Sequence, residues 1–169
     1  MTPSATPRCY RAAMLMVRSA APDDLHDLTG WESEPDTSRW LGETGPAWHA
    51  RVLADPDQEH VIAVDGETLV GFAVLAGLRR SEGIELRRMV VAPTHRGAGQ
   101  GRALLQTVLD RAYQHHGAQT VWLDVKRHNR RARSLYETSG FVVRETLRNA
   151  IVEPDGTASD LVIMVHQPH

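Results

Sequence analysis

Residues 90–105 read VVAPTHRGAGQGRALL. An apolar run stops at Pro93, Arg96-Gly97-Ala98-Gly99-Gln100-Gly101 follows, and an apolar-periodic segment begins straight after. The pattern predicts a strand feeding a glycine-rich turn that opens a helix. Amides at a helix start have no intrahelical partner and point outward, and the helix dipole adds partial positive charge there. Small residues let an anion come close to that backbone, and Arg96 and Arg102 flank it with full charges. The turn suits a di- or polyphosphate.

Three glycine turns compete for this stretch. A P-loop needs G-x-x-x-x-G-K-[ST], and the sequence contains no Gly-Lys pair. A dinucleotide fingerprint needs G-x-G-x-x-G with an acid about 20 residues on. Gly97 and Gly99 begin it, and Asp124 ends the next predicted strand as the ribose acid would. But Arg102 stands where the third glycine must pack, and several elements precede the turn. The third turn belongs to a different class of ligand and is taken up below.

The chain has 169 residues, enough for one domain with a real core. Residues 1–12 carry two prolines and no periodicity, and read as a flexible leader to a single domain over residues 13–169. Residues 14–19 read as a strand, Pro22-Asp23-Asp24 opens a helix, residues 30–45 look irregular, and a second helix runs over 46–54. Residues 60–64 and 68–78 are strands joined by Asp65-Gly66, a hairpin signal. After a turn at 81–83, residues 84–92 form the strand that leads to the glycine turn. A helix spans about 99–115, with Leu104, Leu105, Val108, Leu109 and Ala112 on one face. Then come a strand at 119–125, a helix at 130–139 capped by Asn129 and closed by Gly140, and strands at 141–147 and 159–165 around a turn at 154–156. Hairpins mixed with crossover helices imply an α/β (α+β) fold. Its sheet has about seven strands, mostly antiparallel, flanked by about four helices.

A net charge of −2 gives no bulk attraction to nucleic acid. Cys9 is the only cysteine, so an intramolecular disulfide and a cysteine metal cluster are both excluded. The nine histidines show no H-x-x-x-H or HExxH spacing, and no metal is expected. No run approaches the roughly 18 apolar residues of a membrane span, and no secretory h-region is visible. A cytoplasmic protein without a membrane partner is the expectation.

The third kind of glycine turn fits. Arg96-Gly97-Ala98-Gly99-Gln100-Gly101 matches [RQ]-x-x-G-x-[GA], the pyrophosphate motif of the GNAT superfamily of acyl-CoA-dependent N-acetyltransferases. The lead-in from Glu85 to Pro93 resembles that family's fourth strand. Asn129, followed by Ala132, Leu135, Tyr136, Gly140 and Phe141, resembles the second half of its cofactor site. The opening Val17-Arg18-Ser19-Ala20 and Asp24-Leu25 are also similar, so the likeness covers roughly residues 14–166.

The resemblance implies an enzyme that moves an acetyl group from acetyl-CoA to a primary amine by direct attack in a ternary complex. It implies that the amides of Gly97, Ala98, Gly99, Gln100, Gly101 and Arg102, with Arg96 beside them, hold the pyrophosphate. Met89, Val90 and Val91 would lie along the pantetheine arm, the main chain of Met89 and Val91 pairing with it like an added strand. Asn129 would bond the same arm, and the N–H of Val91 would face the thioester oxygen. Tyr136 would bring its hydroxyl to the sulfur as general acid, and Glu85 would act as base, commonly through water.

Each role has a plainer counterpart. Tyr136 can be a packed aromatic, Asn129 a helix cap, Glu85 an ion pair with Arg87, and Asp124 a structural or substrate-facing group. Strand alternation puts Glu85, Arg87, Met89 and Val91 on one face. On the acceptor side, Glu32, Glu34, Asp36, Glu43 and Asp160 would attract a cationic amine and Trp31, Trp40 and Trp48 would line its pocket, unless the acids solvate a loop and the tryptophans fill a core. Residues 160–164 resemble the last strand of the subgroup that acetylates protein N-termini, but Ala150 and Ile151 replace its usual tyrosines. A small-molecule amine is therefore the preferred acceptor. The alternatives are a protein N-terminus or lysine, or a non-catalytic acyl-CoA-binding module. A homodimer is compatible with the family and not required by the sequence.

Overall fold

The computed structural model describes residues 15–80 and 83–168. The expected leader, Met14 and most of the turn at 81–83 lie outside the described residues.

Seven strands form one sheet: β1 (Met16–Ser19), β2 (Gln58–Asp65), β3 (Thr68–Ala76), β4 (Ile84–Val91), β5 (Val121–Lys126), β6 (Val142–Val152) and β7 (Ala158–His166). Their order across the sheet is β1-β2-β3-β4-β5-β7-β6. Every pairing is antiparallel except β4 with β5, which flank the helix that follows the glycine turn. A crossover through that helix makes the pairing parallel, and it holds at only two positions.

Five helices accompany the sheet: α1 (Leu25–Glu32), α2 (Pro35–Ser38), α3 (Pro46–Ala54), α4 (Gln100–Asp110) and α5 (Arg130–Thr138). On the back face, α4 buries its stripe of Leu104, Leu105, Val108 and Leu109 against Ala73, Leu75, Leu123 and Met164. Tyr136 and Leu135 of α5 pack on the margin of the same cluster. On the front face, Leu28 of α1 and Val52 of α3 meet Ile62, Phe72, Val74 and Val90 in a smaller cluster. Among the described residues no helix is long and apolar enough to cross a membrane.

Several boundaries differ from the sequence reading. The stretch 30–45 is not wholly irregular: α1 runs through Glu32, and Pro35 opens the single turn of α2. A proline at the first helical position loses an N–H that has no partner anyway. The helix from 100 stops being regular at Asp110 and widens into one π turn over Arg111–His115. β6 continues past 147 to Val152, across an irregularity where Asn149 adopts a left-handed φ of 52°.

Candidate functional site

The site begins where β4 and β5 part. The two strands pair only at Ile84–Val121 and Glu85–Trp122. Beyond Glu85, the side of β4 that faces β5 has no strand partner among the described residues. The amide of Ala92 donates to Val70 of β3 at 2.8 Å. Backbone groups alternate sides along a strand, so the amide of Val90 also faces β3, while those of Met89 and Val91 face the gap. Val90 instead buries its side chain in the front cluster, so it backs the gap rather than donating to it.

A bulge in β4 changes the expected facing. Val74 lies opposite Arg88 and Leu75 opposite Leu86, so Arg87 is the extra residue. The parity of side chains flips there. Ile84 and Leu86 share the back cluster with Met89 and Val91, and Val90 lies in front. Glu85 therefore does not share a face with Met89 and Val91, as uninterrupted alternation required.

The glycine turn stands at the open end of this gap. Gly97, Ala98 and Gly99 all take left-handed φ, at 86°, 52° and 77°. The Gln100 amide bonds the Gly97 carbonyl and the Ala103 amide bonds that of Gly99. The amides of Ala98, Gly99, Gly101 and Arg102 have no backbone partner among the described residues, which makes the turn a set of free donors at a helix start. The flanking arginines reach sideways. Arg96 donates to Thr37 of α2, and Arg102 donates to Thr138 and Ser139 at 2.7 and 3.2 Å, tying α4 to the end of α5.

Asn129 caps α5: its side-chain oxygen accepts from the Ala132 amide at 3.2 Å. That use leaves its NH2 group available for a ligand in the gap. One helical span later, Tyr136 packs beside Phe141 with ring centroids 5.6 Å apart. Burial pushes its phenol up to about 12, and the Asp124 carboxylate adds to the shift. Asp124 follows Trp122 on β5 and so stands just beyond the last β4–β5 pair. Desolvation raises its carboxyl, the nearby Glu85 charge raises it further, and Arg87 pulls the other way. The Glu85 charge thus acts on Asp124, and the Asp124 charge on Tyr136. Glu85 itself accepts from Arg87 at 2.8 and 3.1 Å through one oxygen, the plainer role foreseen for it.

A cavity of about 390 Å³ opens beside Glu85 at the closed end of the gap. Trp122, Asp57, Arg80 and the Glu85–Arg87 pair line it. It does not include Tyr136 or Asp124.

The acceptor-side residues divide. Trp31 packs against the front cluster and stacks on Phe72, and Trp48 lies under Arg88. Trp40 instead meets His128, 5.0 Å between ring centroids, and so bridges the α2–α3 segment to the β5–α5 loop. Glu34 and Asp36 are exposed, Glu43 pairs with Arg51, and Asp160 pairs with Arg127 and caps the Asn149 amide. Glu32 is fully buried and bonds Arg88 and His49. The sequence carried a signal for that burial: Glu32 lies four residues after Leu28, on the apolar stripe of α1.

The Acetyltransferase (GNAT) family model matches residues 25–141. The chain belongs to the GNAT acetyltransferase family. Among curated proteins it is 39% identical over 98 residues to the N-alpha-acetyltransferase RimI of Mycobacterium tuberculosis, a match covering 57% of this chain and 60% of that protein. It is 30% identical over 101 residues to the ribosomal protein bS18-alanine N-acetyltransferase of Haemophilus influenzae, covering 60% and 66%. The match thus spans less than two thirds of the length of either relative. The fold is also that of spermidine N-acetyltransferase from Vibrio cholerae in complex with CoA and spermine. That likeness has a TM-score of 0.80 at 20% identity, over 91% of this chain and 95% of the other.

Proposed function

We propose that this GNAT protein transfers an acetyl group from acetyl-CoA to the primary amine of a small molecule, by direct attack in a ternary complex. One observation carries the reading. The unpartnered side of β4 runs between the unbonded amides of the glycine turn and the part of β5 that carries Asp124, whose charge acts on Tyr136. A flexible arm attached to a diphosphate fits that path as an added strand.

The residues present fit the cofactor. The amides of Gly97, Ala98, Gly99, Gly101 and Arg102, beside Arg96, would hold its diphosphate; the Gln100 amide, expected among them, already donates to the Gly97 carbonyl and shapes the turn instead. The main chain of Met89 and Val91 and the amide of Asn129 would hold its arm, with the Val91 N–H facing the carbonyl that gains negative charge. When bound, acetyl-CoA supplies the activated acyl group.

The chain's own work is proton transfer. The acceptor must lose a proton before it can attack. Asp124, exposed at the gap with its carboxyl raised by partial desolvation and by Glu85, is suited to take that proton; Glu85, ion-paired with Arg87, tunes it or relays through water. Tyr136 keeps its own proton at neutral pH because burial and the Asp124 charge disfavour the phenolate. Once Asp124 is protonated that charge is gone, and Tyr136 becomes a better donor to the departing sulfur. The two proton transfers are then coupled through one carboxylate.

The cavity beside Glu85 supports a compact acceptor, since clefts of about 300 Å³ and more take small molecules. Its balanced acids and arginines suit an amine that also bears an anionic group. A second reading, transfer to the α-amine of a protein, draws on the relatives named for that activity. Thiol release from acetyl-CoA, measured with spermidine, amino acids and an alanine-starting peptide, separates these readings. Release with amino acids or spermidine supports the first, and release with the peptide alone supports the second. Tight CoA binding with no turnover on any amine would favour a non-catalytic module. In the active enzyme, Tyr136→Phe should lower turnover by about 10²-fold or more with little change in cofactor affinity.

A further inference from the structure

Arg88 is the residue after the bulge in β4, and its side chain points away from the gap into the front layer. Its Nη1 donates to Glu32 Oε1 at 2.8 Å and its Nη2 to the Glu43 carbonyl at 2.6 Å. Its guanidinium carbon lies 3.8 Å from the ring centroid of Trp48. One side chain thus gathers the end of α1, the 41–45 loop and α3 onto β4.

The network continues inward. The other Glu32 oxygen accepts from His49 Nε2 at 2.8 Å, and His49 Nδ1 meets His60 Nε2 at 2.8 Å. Opposite a guanidinium, Glu32 is a carboxylate that only accepts, so His49 Nε2 carries a proton. Where His49 Nδ1 accepts from His60 Nε2–H, His60 Nδ1 is left buried without a hydrogen-bond partner. Glu32 and His49 are fully buried and His60 and Arg88 nearly so.

Stability alone does not account for this arrangement. Burying two charges carries a large desolvation penalty, and apolar residues of like volume in their place are often neutral or stabilising. What the ion pair provides that apolar residues cannot is direction, because a planar fork fixes its partners' positions. We propose that Arg88, held by Glu32, is a positioning residue: by clamping β4 to the end of α1 and the 41–45 loop it fixes the bulge at Arg87, and with it the Arg87 and Glu85 side chains that line the acceptor cavity.

This rests on acetyl transfer as the activity, and one arm of the test does not. Glu32→Leu/Arg88→Met removes both charges together. Because His49 Nε2 and the Glu43 carbonyl lose their partners, its stability in urea should fall, while its acetyl-CoA affinity by calorimetry should be unchanged. Its KM for whichever of spermidine or an alanine-starting peptide is a substrate should rise at least tenfold. Hydrogen exchange at the Leu41 and His49 amides, which bond the Ser38 and Gly45 carbonyls on either side of that loop, is a readout independent of any acceptor and should quicken at least tenfold while β4 stays protected. Wild-type KM together with wild-type exchange would overturn the proposal, as would an equal loss of cofactor affinity. Should the double variant fail to fold, Arg88→Lys keeps the charge without the fork. A raised acceptor KM and faster loop exchange in that variant, with native far-UV dichroism, support the role; unchanged values overturn it.

Discussion

A Cβ on Gly71 would lie 2.6 Å from the carbonyl oxygen of Val90 and 3.0 Å from Cδ2 of Leu104. Gly71 of β3 pairs with Val91, and α4 presses on the same point. The absent side chain is therefore what lets β3, β4 and α4 converge behind the gap. Backbone cannot give way as the end of a flexible side chain can, so Gly71→Ala must part the strands. The expected loss is about 1–3 kcal/mol in urea unfolding. Because the displaced residue is Val91, acetyl-CoA affinity measured by calorimetry should also fall. Lost stability with unchanged affinity would mean that Val91 does not line the cofactor path.

Asp124 and Glu85 make a directional prediction. The Asp124 carboxyl is raised by desolvation first and by the Glu85 charge second, with Arg87 opposing. If Asp124 is the base, activity rises with pH through that raised value, so the acidic limb of kcat/KM lies above the ordinary carboxylate range. Glu85→Gln removes a raising charge and frees Arg87 to lower Asp124 further. Both effects move the limb toward acid. Asp124→Asn should remove the limb and lower turnover by about 10²-fold or more. A limb that stays in place in Asp124→Asn and vanishes in Glu85→Gln would return the role to Glu85.

The parts legible in the sequence are those set by neighbours along the chain. The turn at Gly97–Gly101, the Asn129 cap and the Asp65-Gly66 hairpin depend on local backbone preference, and each lies where its pattern put it. Family membership followed from two such local blocks in order. The bulge at Arg87 was invisible because alternation looks unbroken in the letters, and only pairing with β3 shows the extra residue. The insertion of β7 between β5 and β6 is likewise a matter of long-range pairing. Glu32, foreseen as an attractor on the surface, is instead a core residue. Its place four residues after Leu28 pointed to burial, but the partner that permits it, Arg88, lies 56 residues away, and no local pattern reports that pairing.

The glycine turn offers a test that separates conformation from contact. Nothing lies within 4 Å of a Cβ built at Gly97 or Gly99, so their substitution meets no clash. The penalty is the left-handed φ alone, about 1–2 kcal/mol per residue. Gly99→Ala should lose about that much stability and weaken acetyl-CoA binding, because the strained turn relaxes and its amides rotate away. Ala98 already holds a φ of 52°. Ala98→Gly relieves that strain but loosens the unfolded chain, so stability should change by less than about 1 kcal/mol. Calorimetry and urea unfolding on both variants check the pair. Equal cofactor affinity in Gly99→Ala and wild type would show that the turn's conformation does not matter for binding.

His60 should govern part of the acid sensitivity of the fold. Desolvation, and next the neighbouring His49, hold its imidazole down at about 4, against 6.5 for an ordinary histidine. Between those values the unfolded chain binds a proton that the folded chain refuses. The contribution of His60 is therefore fully present above about pH 6.5 and is lost as pH falls toward 4. At 1.36 kcal/mol per unit the loss is about 3 kcal/mol. His60→Gln keeps a donor for His49 Nδ1 and cannot titrate. Urea unfolding of both proteins at neutral pH and near pH 4 measures the difference. The wild type should lose about 3 kcal/mol more than the variant over that range. Equal losses would mean that the buried His49–His60 bond opens to water before the ring protonates.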